Sequence, residues 1–197
     1  LANGQSQWIT GPEARRDGHA WRARACAVLT GIGTVRDADP QLNVREVETT
    51  RQPLKVVVDS RLQMPLSAKL LASGKVLVAA AVDDKAAIAA LRDKGAEVML
   101  LPNARGKVEL TQLMHELARR ELNEVHVEAG FKLNGSLLGA GLVDELLIYL
   151  APSILGDGAN GMFSLPELTD LTQQRLLQFA DVRTIGSDLR ILARVAS

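Results

Sequence analysis

Residues 125–136 read VHVEAGFKLNGS, and two readings compete for them. His126-x-Glu128 matches the H-x-E half of a zinc nucleobase-deaminase signature, in which one histidine and two cysteines hold the metal while the glutamate moves protons. That chemistry needs a P-C-x-x-C partner, and Cys26 is the single cysteine in the chain. Nor do His19 and His115 have partners at metal-ligand spacing, so no metal site is expected. The second reading takes VHVE as the end of a strand, on which His126 and Glu128 share one face and Val125 and Val127 the other. Glu128 then lies at the strand's carboxyl end, the edge where open α/β sheets bind ligands. Gly130 through Ser136 turns from it into a helix, bringing backbone N–H groups toward an anion. A plain structural turn remains an open alternative. The spacing is not G-x-G-x-x-G, so it licenses no Rossmann assignment.

Outward from this stretch, apolar runs alternate with helical patterns. LKVVVDS (54–60) and KVLVAAA (75–81) are continuous runs of the kind buried on both faces of a parallel sheet. DDKAAIAALRDKG (83–95) has an acidic start and a glycine stop, AEVMLLP (96–102) reads as a strand, and LTQLMHELARREL (110–122) puts Leu113, Met114, Leu117 and Ala118 on one helical face. NEVHVEAG (123–130) is the next strand, KLNGSLLGAGL (132–142) a short helix, and DELLIYLAP (144–152) another strand. Upstream, Thr10 is placed to cap a helix over 11–24, with Pro12 and Glu13 suited to its first turn. ACAVLTG (25–31) is a strand, and IGTVRDADPQLNVR (32–45) is expected to be a long loop with at most a brief turn capped by Thr34. LLQFADVRTIG (176–186) and DLRILARVA (188–196) flank Gly186 and Ser187 as an antiparallel hairpin. The whole reads as one domain: a mixed, mostly parallel α/β sheet flanked by helices, ending in that hairpin.

Lys+Arg and Asp+Glu both count 23, so no net field draws the chain to nucleic acid or an anionic membrane, and any anion needs a local cluster. No apolar run is long enough for a membrane span, and LANGQSQWITGPEARR lacks the order of a signal peptide. A lone cysteine fits a reducing cytoplasm. The chain starts on Leu1 in the polar turn Asn3-Gly4-Gln5-Ser6, as a fragment would.

Residues 30–45 form a second candidate site. Gly31 and Gly33 permit close backbone approach, Thr34 offers a hydroxyl, and Arg36 and Arg45 offer forks suited to phosphate. The competing reading is a solvated loop with ion pairs among Arg36, Asp37 and Asp39. Arg15, Arg16, Arg22 and Arg24 form a basic cluster on the first helix, of which one or two can face a phosphorylated ligand. Trp21 suits the core, whereas Trp8 suits covering a flat heterocycle. No nucleophile arrangement and no acid–base pair is evident, so no catalytic residue is assigned and a cofactor has to carry the chemistry.

Three segments taken together resemble a known family: residues 6–45, VVVDS (56–60), and VEAGFKLNGSLLGAGLVDELLIYLAPSILG (127–156). They are similar, in order and over nearly the whole chain, to the reductase domain of the bifunctional riboflavin-biosynthesis deaminase-reductase. The resemblance implies a dihydrofolate-reductase-like fold and reduction by NADPH of the ribosyl group of 5-amino-6-(5-phosphoribosylamino)uracil to ribityl. It places substrate contacts at Ser6, Arg22, Leu42, Arg45 and Glu128. NADPH contacts fall at Trp8, Thr34, Ser60 and the turn Gly130, Phe131, Lys132, Leu133, Asn134, Gly135 and Ser136. It further implies a homodimer, and a reductase domain over 1–197 that lacks the family's first strand and its upstream zinc deaminase domain. The family's A-D-D-P loop here reads DADP, which puts Ala38 at a cofactor-contacting aspartate position unless Asp37 replaces it. Pattern does not separate NADPH from NADH. Two alternatives stand beside this reading: a dihydrofolate-reductase-like reductase of another pterin or pyrimidine, and a non-catalytic dimerising or nucleotide-binding module.

Overall fold

A computed structural model describes residues 8–156, 158 and 161–196; Ser6 and the turn around it lie outside the described residues. The apolar runs become five parallel strands, β1 (Ala27–Gly31), β2 (Leu54–Val58), β3 (Val76–Ala80), β4 (Ala96–Leu100) and β5 (Val125–Val127), ordered β4-β3-β2-β1-β5. Because side chains alternate along a strand, adjacent residues feed opposite cores. Val57 and Val78 pack with Ile88 and Leu91 of α3 (Lys85–Asp93). Their neighbours Val56 and Leu77 pack with Leu113 and Leu117 of α4 (Leu110–Arg119) and Leu137 of α5 (Phe131–Gly139). Helices therefore cover both faces, and the carboxyl ends of β1, β2 and β5 are left along one edge.

Two local expectations need correction. The long loop expected over 32–45 begins as a helix, α2 (Ile32–Ala38), which ends where Asp39 enters the left-handed region (φ 41°) and its carboxylate accepts the Lys69 N–H at 2.9 Å. Its only apolar signal is Ile32 and Val35, one turn apart, with Val35 buried against the α3 side of the sheet. The ion pairing expected among Arg36, Asp37 and Asp39 is replaced by Asp39 with Lys69. The second correction concerns α1 (Pro12–Arg24), which is capped by Gly11 rather than Thr10, without a side-chain bond of its own. The Gly11 N–H instead donates to the buried Asp188 carboxylate at 2.6 Å, so the cap comes from the far end of the chain.

The last strands, β6 (Glu145–Leu150), β7 (Leu177–Ile185) and β8 (Asp188–Val195), pair antiparallel in the order β6-β8-β7. The parallel units and the antiparallel β7–β8 hairpin are those expected, but β6 joins the hairpin, and among the described residues β5 and β6 share no ladder, so the strands form two sheets. Side chains bridge them through α1. Arg190 donates to Asp17 at 3.0 and 3.1 Å and to Asp181 at 2.8 Å, and the Tyr149 hydroxyl donates to Asp17 at 2.5 Å.

Within the apolar run of β2, Lys55 is 1% exposed. Its Nζ donates to the Leu70 carbonyl (2.9 Å), the Ser73 carbonyl and Ser73 Oγ (2.8 Å), tying β2 to the 3-10 turn Lys69–Ala72. Burial, with the Arg22 charge, pushes its ammonium down to about 8 from 10.5. Lys55→Met orphans these acceptors, and unfolding in urea should show a loss of about 2 kcal/mol at neutral pH. Between pH 8 and 10.5 the folded lysine is deprotonated while the unfolded one keeps its proton, so wild type should gain stability over the variant as pH rises through that window.

Candidate functional site

One face of α1 carries Ala14, Arg15, Gly18, His19 and Arg22, and it forms a wall of a cavity of about 360 Å³. Arg45 and Glu46 lie across from it, with His126 and Glu128 at the end of β5 and Leu147 and Tyr149 from β6 completing the lining. At the centre Arg22 grips Glu128 with two parallel bonds, Nε to Oε1 and Nη2 to Oε2, both 2.7 Å. Its remaining Nη1 donates to the Asn43 carbonyl at 2.6 Å. The Glu128 main chain is fixed as well: its N–H donates to Leu29 O at 2.9 Å, and its carbonyl accepts Thr30 Oγ1 at 2.7 Å. Burial alone pushes the Glu128 carboxyl up, but the Arg22 bond and charge, with His126 and His19, hold it below the ordinary value. At neutral pH it is an anion and accepts hydrogen bonds only.

His126 does share the Glu128 face, with Nε2 3.5 Å from Oε1. Burial, first, pushes its imidazole down against the pull of Glu128. Among the described residues no three His, Cys, Asp or Glu side chains converge to hold a metal.

The fold thus brings Trp8, Arg22, Arg45 and Glu128 together around one cavity. Trp8 is exposed, with the Arg15 guanidinium 4.4 Å from its ring centre, whereas Trp21 lies partly buried under Arg24 at 4.2 Å. Leu42 is different. The whole residue is buried, at a φ of +53°, and it is not part of the cavity's lining. His19, Glu46, Leu147 and Tyr149 also line the cavity, and sequence reasoning did not select them. For His19 a signal existed, since it precedes Arg22 by three residues on a helix and must share its face.

Thr34, Ser60 and Gly130 collect separately, along the carboxyl edge of the parallel sheet. A Cβ placed on Gly130 would stand 3.8 Å from Thr34 Oγ1, so the starts of α2 and α5 adjoin. Ser60 follows β2; its Oγ accepts the Val108 N–H and its carbonyl the Ala81 N–H, each at 3.1 Å. Gly130 and Lys132 are exposed at the start of α5, with Lys132 Nζ 5.8 Å from the Phe131 ring centre. Ala38 ends α2 with its methyl exposed, and Asp37 beside it is exposed too.

The rest of the turn has internal partners. Leu133 packs against Gly31, the Asn134 amide donates to Ala129 O and Met162 O, and Ser136 Oγ donates to Lys132 O. Gly135 is seated under a strap of backbone. A Cβ there would run into the Ser164 carbonyl, and the strap is tied down by Ser164 N–H donating to Phe131 O at 2.9 Å.

A second cavity, of about 610 Å³, separates the sheets, with Asn123–Val127 on one side, Asp144–Tyr149 on the other, and Leu137, Leu142 and Trp21 among its other walls.

Gly135→Ala should therefore displace the strap and make residues near Ser164 cleavable by a protease at native temperature. Gly139→Ala on the same helix, where nothing lies within 4 Å of the added Cβ, should leave cleavage unchanged.

Comparison with known proteins adds three findings. The model of the RibD C-terminal domain family matches residues 1–191. The riboflavin biosynthesis protein RibD of Escherichia coli (strain K12) is 36% identical over 204 residues, which cover 96% of this chain and 54% of that protein. The 5-amino-6-(5-phosphoribosylamino)uracil reductase of Buchnera aphidicola subsp. Acyrthosiphon pisum is 29% identical over 205 residues, covering 98% of this chain and 97% of that protein. Among solved structures, Acinetobacter baumannii RibD superposes with a TM-score of 0.84 at 33% identity, covering 100% of this chain and 54% of that one. The chain thus spans about half the length of the RibD proteins it matches.

Proposed function

Because the chain belongs to the RibD C-terminal domain family, we propose that it is a reductase domain that uses NADPH to reduce the ribosyl group of 5-amino-6-(5-phosphoribosylamino)uracil to ribityl. The observation that carries the reading is the cavity in which a fixed carboxylate, Glu128, lies beside the guanidinium groups of Arg22 and Arg45. A sugar phosphate offers hydroxyls to the first and an anion to the others. Arg22 gives three of its five N–H groups to Glu128 and Asn43, so Arg45, with one bond to Asn43 Oδ1, is the freer phosphate ligand.

The ribosylamine must open to an imine, with C1 losing its bond to the ring oxygen, before C1 can accept hydride. The nicotinamide, when bound, supplies that hydride. The residues supply position: Glu128 accepts from the sugar hydroxyls, the arginines hold the phosphate end, and Trp8, an NADPH position in the family, would offer its ring face to the cofactor. Gly130, Phe131 and Lys132 at the start of α5, with Thr34 and Ser60, would hold the cofactor's phosphates and ribose. What fits them to that task is a helix N-terminus whose exposed capping residue, Gly130, has no side chain.

In the same reading the domain runs over residues 1–197 and takes one more strand, between β5 and β6. The second cavity supports this: both strands turn an unpaired edge toward it among the described residues, and two sheets would become one. The family places such a strand just upstream of Leu1, after the deaminase domain. Two copies pair through the exposed apolar surface that includes Phe179 (68% exposed), Leu171 and Leu177. No helix among the described residues is long and apolar enough to cross a membrane, and a cytoplasmic setting is proposed from the lone cysteine.

The test is NADPH oxidation with enzymatically deaminated substrate, comparing this chain with one extended upstream through the strand and deaminase domain. Turnover should appear or rise on extension, and an inert extended chain would sink the reductase reading. In the active form Arg45→Ala should raise KM for the substrate about tenfold or more, with KM for NADPH nearly unchanged. An equal loss for both would remove Arg45 from the phosphate.

A further inference from the structure

His19 is the one titratable residue lining the first cavity that is less than a tenth exposed, and the reduction gives it no task. Its Nδ1 accepts the main-chain N–H of Arg45 at 3.4 Å, and its Nε2 faces Glu46 Oε1 at 3.8 Å. An imidazole that accepts at Nδ1 carries its proton on Nε2 and is neutral. That bond is the last of four that hold three consecutive residues of the loop after α2. Asn43 is held through its carbonyl by Arg22, Val44 is held at both N–H and carbonyl by the Gln52 amide (2.8 and 3.0 Å), and Arg45 is held by His19. The loop needs holding, because Leu42 at its start sits at positive φ, a conformation costly for a bulky residue.

We propose that His19 is a positioning residue: its neutral imidazole fixes the main chain of Arg45 and so aims that guanidinium at the substrate's phosphate, and protonation of Nδ1 releases the loop. This rests on the cavity's being the phosphate end of the substrate site. The groups facing His19 are Arg22 on its own helix, Arg45 and Glu46 on the loop, and Glu128 on β5. Burial, then the two arginines, favour the neutral ring; the two glutamates oppose them, and the net direction is below the ordinary 6.5. The loop is therefore held at neutral pH. As pH falls below 6.5 the unfolded chain takes up this proton before the folded one does. His19 thus withdraws stability in the same window in which it lets the loop go.

Two measurements on the full chain test this. The first follows the Arg45 amide by NMR against pH, without ligand. Its shift should titrate together with the His19 ring in wild type and stay flat in His19→Gln, which keeps an acceptor that does not ionise. An Arg45 amide indifferent to the His19 titration would overturn the proposal whatever the protein's function. The second measures binding of D-ribose 5-phosphate from pH 7.5 down to 5.5. The ligand's own second ionisation falls in this range and weakens binding to both proteins alike. Wild type should lose about fivefold more affinity than His19→Gln, the worth of one hydrogen bond. His19→Phe, which has no acceptor, should bind weakly at every pH. Equal pH dependence in wild type and His19→Gln would also overturn the proposal. If no form binds ribose 5-phosphate, the substrate reading fails, and with it the phosphate-aiming role, while the amide titration still decides whether His19 holds Arg45.

Discussion

The Arg22–Glu128 ion pair is the constraint on which the rest of the site depends. Taking two charges out of water costs several kcal/mol each, and the attraction between them repays that only when the geometry is near ideal and the remaining donors are satisfied. Here both conditions hold. The pair is bidentate at 2.7 Å, the third nitrogen of the guanidinium is bonded to Asn43 O, and the glutamate backbone is clamped by Leu29 and Thr30. One interaction therefore fixes three elements at once: the first helix, the carboxyl end of β5 and the loop that carries Arg45. Loss of either partner would leave a partly buried charge unmatched and would free all three.

The same pair explains how a chain with no net charge can build an anion site. Arg22 is neutralised locally, so the cavity's positive character falls to groups around it, chiefly Arg45 and Arg15, while Glu128 keeps lone pairs for hydroxyl donors. Recognition of this kind works by directional bonds over a few ångströms. A long-range field would attract anions of any shape, and would weaken steeply with salt.

What the sequence revealed follows from the range of the forces involved. Burial acts residue by residue, so the alternation of Val56, Val57, Leu77 and Val78 between two cores left its mark as continuous apolar runs, and the parallel strands were legible from them. Turn chemistry is local too, and the hairpin about Gly186 and Ser187 was visible, with Gly186 at a positive φ. Helix α2 was not, because its seven residues bury little beyond Val35 and its stop is made by an aspartate held from Lys69, thirty positions away. The cap of α1 by Asp188 was beyond sequence reasoning for the same reason. At the site, Arg22, Arg45 and Glu128 carried enough motif to be chosen, but their mutual geometry did not. The glycine turn was chosen as one block. Yet Gly130 and Gly135 do different things in it, the first leaving a helix start open and the second making room for the Ser164 strap.

Helix α1 is where these long-range contacts meet, and its anchoring shows why distant residues matter to the cavity. Thirteen residues make a rod of about 20 Å, and small rotations of such a rod at one end become displacements of an ångström or more at Arg22. It is pinned at its start by Asp188 on Gly11, in its middle by Asp17 to Arg190 and Tyr149, and near its end by Trp21 against Arg190 and Arg24 with Arg24 on Glu124. All three pins draw on the antiparallel sheet, which among the described residues shares no ladder with the parallel one that leads to Glu128. The ion pair at 2.7 Å thus ties the end of β5 to a helix that is itself held from β8 and β6. A change in how the two sheets sit together would be read out first at Arg22, before any residue of the cavity had itself been altered.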